Sequence, residues 1–124
     1  MFTIFSPVYG KHLLERFQLI ANTITNEYIE DFYQHLLVHD TVPTFEDLMQ
    51  KTKMLQDDLT YRLTWVREDY KEERGRHSPR LTKGCKRIIS TSVQHYISVV
   101  KNILACRPQS GQISPTEFRK FLIA

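Results

Sequence analysis

The sequence predicts an all-α protein, a small helical bundle built on one long amphipathic helix with a short C-terminal helix. Three observations predict it. Apolar side chains recur at steps of three and four residues in several separate stretches, the spacing of one face of a 3.6-residue helix. Helix-start signals stand at Ser6-Pro7, at Thr44 and at Ser114-Pro115. No stretch alternates apolar and polar residues long enough to compete as a strand, and no internal repeat is present.

In chain order, Ser6-Pro7 reads as an N-cap followed by proline at the first helical position, opening a helix over 7–22. Leu13, Phe17, Ile20 and Ile24 mark its buried face. Asn22-Thr23-Ile24-Thr25-Asn26 is poor helix material, because β-branched and short polar side chains compete with the helical backbone. The helix either bends there or breaks, and a break makes Asn26 the cap of a second helix over 26–38. Tyr28, Ile29, Phe32, Tyr33, Leu36 and Leu37 continue the apolar face. The segment from His39 to Pro43 suits an antiparallel return.

The longest element follows, over 45–74. Phe45, Leu48, Thr52, Leu55, Leu59, Leu63, Val66 and Tyr70 stay on one side of the wheel, at steps closer to a straight helix than to the 3.5 repeat of a coiled coil. Thr44 is its expected cap, Glu46 and Asp47 put negative charge at the positive end of the dipole, and Gly75 is the stop. A basic loop over 74–87 leads into a helix from Lys83 or Lys86 to 105, with Ile89, Val93, Tyr96, Val100 and Ile103 as its stripe and Ile97 and Leu104 widening it. Finally Ser114-Pro115-Thr116-Glu117 spells a capping box for a short helix over 115–122 that presents Phe118, Phe121 and Leu122.

The 124 residues suit a single domain over 1–124 with a core of its own, and 41% hydrophobic with 25% charged residues is ordinary for a globular protein. No apolar run approaches the roughly 20 residues a membrane span needs. The first residues lack a basic region and are broken by Pro7, unlike a signal peptide. The expectation is a soluble intracellular protein, cytoplasmic or nuclear, with no disulfide framework and Cys85 and Cys106 reduced, the alternative being a single structural disulfide between them.

Charge is divided unevenly. Residues 1–73 carry 7 Lys/Arg against 13 Asp/Glu, whereas residues 74–124 carry 10 against 1. From Arg74 to Thr116 there is no carboxylate side chain at all. Such a split points to a polyanionic partner; the competing expectation is that the two halves neutralise each other.

Enzyme motifs are missing: no phosphate-cradling glycine loop, no GxSxG elbow and no paired zinc-ligand cysteines. The expectation is therefore a non-enzyme with no cofactor and no metal. Asp31, His35 and His39, with Glu27 one turn earlier, fall on one helix face at metal-ligand spacing, but a plain solvated face explains them as well. Cys85 stands among Lys83, Lys86 and Arg87, which would lower its thiol pKa if it were exposed. No histidine or aspartate partner is visible beside it.

The functional expectation is a small nucleic-acid-binding protein, for DNA or RNA, using Arg74, Arg76, Arg80, Lys83, Lys86 and Arg87. The helix N-terminus after the loop adds favourable amides, and Ser90, Thr91, Ser92, Gln94 and His95 offer polar groups on its outer face. The alternative is a protein–protein adaptor presenting the long helix. There Met54, Tyr61 and Trp65 form a second stripe about 140° from the first, composed of residue types enriched in interfaces. A homodimer or a protein partner would cover it, unless Phe2-Thr3-Ile4-Phe5 does so within one chain. Within Thr91–Leu122, the runs Ser92-Val93-Gln94-His95-Tyr96, Val100-Lys101-Asn102-Ile103-Leu104 and Ile113-Ser114-Pro115-Thr116-Glu117-Phe118 resemble the end of the helical core-binding domain of tyrosine recombinases. The likeness spans a quarter of the chain, rests on helix and cap residues, lacks that family's catalytic domain and identifies no family.

Overall fold

Three long helices and one short one form the bundle among the described residues. The computed structural model describes residues 7–39, 43–74, 83–106 and 114–123, and the side chains of 14–39, 43–65, 83–105 and 114–123. The elements are α1 (Pro7–His39), α2 (Phe45–Arg74), α3 (Lys83–Cys106) and α4 (Pro115–Phe118), which runs on as a 3₁₀ turn over Arg119–Phe121. None is long and apolar enough to cross a membrane. Helices α1, α2 and α3 all touch one another, and their shared side is one core. Tyr28 of α1 meets Asp58 of α2, while the later Asp31 meets the earlier Lys51, so these two helices run antiparallel.

Of the two courses open at 22–26, the helix runs through rather than breaking. One helix of 33 residues, roughly 50 Å long, replaces the expected pair over 7–22 and 26–38. The hydroxyls that compete with the backbone are satisfied inside the helix: Thr23 Oγ1 donates to the Leu19 carbonyl at 3.0 Å and Thr25 Oγ1 to the Ala21 carbonyl at 2.7 Å. Packing then outweighs propensity, since Ile24 and Thr25 are both buried between the layers of Phe17 and Ile29. Asn26 does not cap; its side chain holds the C-terminal segment instead.

Helix α2 begins as expected, with the Asp47 N–H donating to Thr44 Oγ1 at 3.1 Å. Leu55, Leu59 and Leu63 are fully buried, and Leu48 and Thr52 partly so. Phe45, expected at the start of this stripe, is exposed, and Leu48 is the first stripe residue of α2 that packs against the core. The side chains of Leu13, Val66 and Tyr70 lie outside the described side chains, and Gly75 lies outside the described residues. Helix α3 buries a wider stripe than its spacing suggested, adding Cys85, Ile88, Ser92 and Val99, because it packs on α1 and α2 together.

The N-cap bond of the predicted capping box forms: the Glu117 N–H donates to Ser114 Oγ at 3.3 Å with Pro115 in the first turn. The helix it starts lasts four residues before tightening to 3₁₀. Phe118 is buried, its ring stacked on Tyr33 at 4.0 Å and 8°.

Candidate nucleic-acid interface

Burying one wide side of α3 leaves a defined outer face. Lys83, Lys86, Arg87, Ser90, Thr91, Gln94, Ser98, Lys101 and Asn102 are all exposed along it. No carboxylate side chain occurs anywhere in this 24-residue helix. Of the six basic residues expected at the interface, Lys83, Lys86 and Arg87 sit together at its N-terminal end. Arg76 and Arg80 lie outside the described residues, and Arg74 closes α2 with its side chain outside them.

Lys86, Ser90 and Gln94, at i, i+4 and i+8, line one edge of a shallow groove of about 350 Å³ between α3 and α2. Gln56 and Thr60 form the opposite wall, with Ile89 and Val93 also lining it. The Thr60 hydroxyl already donates to the Gln56 carbonyl at 2.8 Å, so toward a ligand it can only accept. Lys86, Ser90, Gln94 and the Gln56 carboxamide remain as donors. Gln56 and Thr60 were not legible as site residues, because nothing in the sequence says which flank of α2 meets α3.

Two expected members of the outer face are not on it. Ser92 is 3% exposed, in the middle of the buried stripe between Ile88, Ile89 and Tyr96. His95 is half-buried at the stripe's margin, and its buried Nε2 finds no hydrogen-bond partner among the described residues. Tyr96 is 2% exposed and offers no stacking surface; its ring meets Tyr28 edge-on at 6.2 Å. Burial first, then the Asp31 charge, pushes the Tyr96 phenol up to about 12. The Tyr28 hydroxyl donates to the Asp58 carboxylate, and its phenol is raised further, by burial first and then by that hydrogen bond and charge.

Other candidate chemistry fares differently. Cys85 is fully buried, so it lacks the exposure a reactive thiol needs. Asp31 is drawn to Lys51 Nζ at 3.6 Å, while the His35 and His39 rings lie 4.6 Å apart. These residues line a cleft of about 560 Å³ with Asp47, Gln50 and Tyr96. Among the described residues no three metal-ligating side chains cluster to hold an ion. Met54, Tyr61 and Trp65 are exposed on α2, and the Tyr61 and Trp65 rings touch edge-on at 6.2 Å.

Comparison with protein-family models, with curated proteins and with solved structures finds no match to this chain. The reading of the site therefore rests on its own chemistry.

Proposed function

We propose that this protein binds nucleic acid through the outer face of α3 and the basic segment that precedes it. One observation carries the reading. The exposed face of α3 combines Lys83, Lys86, Arg87 and Lys101 with Ser90, Thr91 and Gln94, and the helix holds no carboxylate to repel a phosphate. Cations at its N-terminal end reinforce the positive pole of the helix, where phosphate oxygens are also favoured by free backbone N–H groups. Arg74, Arg76 and Arg80 extend the same charge along the sequence.

Fluorescence anisotropy with duplex DNA over a salt series tests this reading. Four to six neutralised phosphates give a slope of log K against log salt of about −4 to −5. Exchanging Lys86 and Arg87 for alanine weakens binding on every sequence and flattens that slope by about one unit for each phosphate no longer neutralised. No binding of DNA or RNA at about ten micromolar protein and low salt would leave the segment merely solvated.

The second reading, a protein–protein adaptor, is favoured by the exposed Met54, Tyr61 and Trp65 stripe on α2. It takes first place if nucleic-acid binding fails.

A further inference from the structure

We infer that the nucleic acid this surface takes is duplex DNA, with α3 lying in the major groove and Gln94 reading a base edge. The inference rests on the nucleic-acid reading of α3 and narrows it to one ligand class. Single strands are held largely by stacking bases on aromatic side chains along a basic track. Among the described residues the basic face shows no such platform: Tyr96 of α3 is buried against Tyr28, and the His95 ring is half-buried at the margin of the core stripe with its Nε2 enclosed. Exposed rings do exist at Tyr61 and Trp65, but on a different side of α2 from the Gln56 and Thr60 flank that faces the groove. Duplex RNA has a deep, narrow major groove that side chains do not enter.

B-form DNA fits what remains. Its major groove is about 12 Å wide and admits an α-helix of about 10–12 Å diameter. The middle of α3's outer face is uncharged and mostly short, with Ser90, Thr91 and Ser98 letting the helix approach the bases. Gln94 is the one long amide there; its carboxamide can donate and accept at once, the pattern that pairs with adenine N6 and N7. Lys86 and Arg87 stand before this polar middle and Lys101 after it. The fifteen steps from Lys86 to Lys101 span roughly 22 Å at 1.5 Å rise per step, enough to reach phosphates on both sides of the groove. Lys86, Ser90 and Gln94 share one edge, so a single helix orientation presents cation, hydroxyl and amide together.

Anisotropy with duplex DNA, duplex RNA and single-stranded DNA of one sequence, about 20 nucleotides long, tests the inference. The expected result is duplex DNA bound at least about tenfold tighter than the other two, displaced by the major-groove ligand methyl green and not by the minor-groove ligand netropsin. Binding of duplex RNA or single-stranded DNA as tight as that of duplex DNA overturns the duplex-DNA inference, and displacement by netropsin overturns the major-groove placement of α3, while the broader phosphate-binding reading survives either result. No binding to any of them overturns both. Selection from a random duplex pool isolates Gln94: wild type and Gln94→Ala should enrich sequences that differ at one adenine position. Identical enriched sequences remove Gln94 from the reading role.

Discussion

The carboxamide of Asn26 grips the backbone of Ile123, 97 residues away in sequence. Its Nδ2 donates to the Ile123 carbonyl and its Oδ1 accepts from the Ile123 N–H, both at 2.9 Å. A segment with only one four-residue α-helix of its own is thereby fixed to the middle of α1, with the Phe118–Tyr33 stack as the second point of attachment. Leu122 and Phe121 pack on the core between the two.

This relationship predicts an asymmetry between two substitutions. Asn26→Leu removes both hydrogen bonds and costs about 1–3 kcal/mol. Asn26→Asp replaces the pair only when protonated, its O–H then donating to the Ile123 carbonyl. Once ionised it keeps the acceptor for the Ile123 N–H but sets a carboxylate oxygen against that carbonyl, so its cost rises with pH whereas that of Asn26→Leu does not. Hydrogen exchange checks it: the Ile123 amide should exchange much faster in Asn26→Leu while amides of central α2 stay protected. Unchanged protection at Ile123 would show that Phe118 alone holds the segment.

The same pair explains what the sequence leaves unread. The helical stripes are legible because they depend on spacing within one element, and Leu55, Leu59 and Leu63 are buried as their spacing requires. Asn26 looks like a cap because capping is a local role that asparagine fills well; its actual partner is far away in sequence. The unbroken α1 has a similar cause, for burial of Ile24 and Thr25 is supplied by helices not yet formed when local propensity is weighed. At the candidate interface, the cations of α3 are plain in the sequence. Which of its polar residues face outward depends on how wide a stripe two neighbouring helices bury, so Ser92 goes inward and Gln56 and Thr60 join from α2.

Alkaline pH should destabilise the fold through Tyr28 and Tyr96. Both phenols are raised above their ordinary value of 10.0, Tyr96 to about 12 and Tyr28 further. The unfolded chain then releases these protons first, so folding stability falls as pH rises above about 10. The Tyr96 contribution is intact below that point and is lost as pH climbs through about 12. Urea midpoints measured from about pH 9 to about pH 11 should decline, and Tyr28→Phe should flatten the decline. A midpoint unaffected by pH over that range would oppose the burial argument.

Ser92 separates structural from nucleic-acid roles on α3. Its 3% exposure among apolar neighbours predicts that Ser92→Ala leaves nucleic-acid affinity unchanged. Ser92→Lys, placing a charge in the stripe, should destabilise the fold by about 3 kcal/mol or more rather than tighten binding. Thermal unfolding and anisotropy on the same variants read both effects. A stable Ser92→Lys protein with higher affinity would put this position on the outer face after all.

The Met54, Tyr61 and Trp65 stripe gives the last prediction. Tyr61 is 62% and Trp65 55% exposed, with their rings edge to edge on one side of α2. Aromatic and Met side chains are enriched where surfaces associate, and leaving them in water forgoes about 25 cal/mol for each Å² of apolar area. Self-association should therefore appear at tens of micromolar protein and disappear in the Tyr61→Glu, Trp65→Glu double variant. Both positions are exposed, so the carboxylates face water and helicity should persist; circular dichroism establishes that before masses are compared. Static light scattering then distinguishes the outcomes. A wild-type mass above that of the monomer, falling to the monomer in the variant, assigns the stripe to a second copy. A monomeric wild type whose Trp65 fluorescence reports a shielded ring places cover from within the chain, from the stretch Phe2-Thr3-Ile4-Phe5. A monomeric wild type with a fully hydrated Trp65 leaves the stripe open to a different protein, which is the surface the adaptor reading needs.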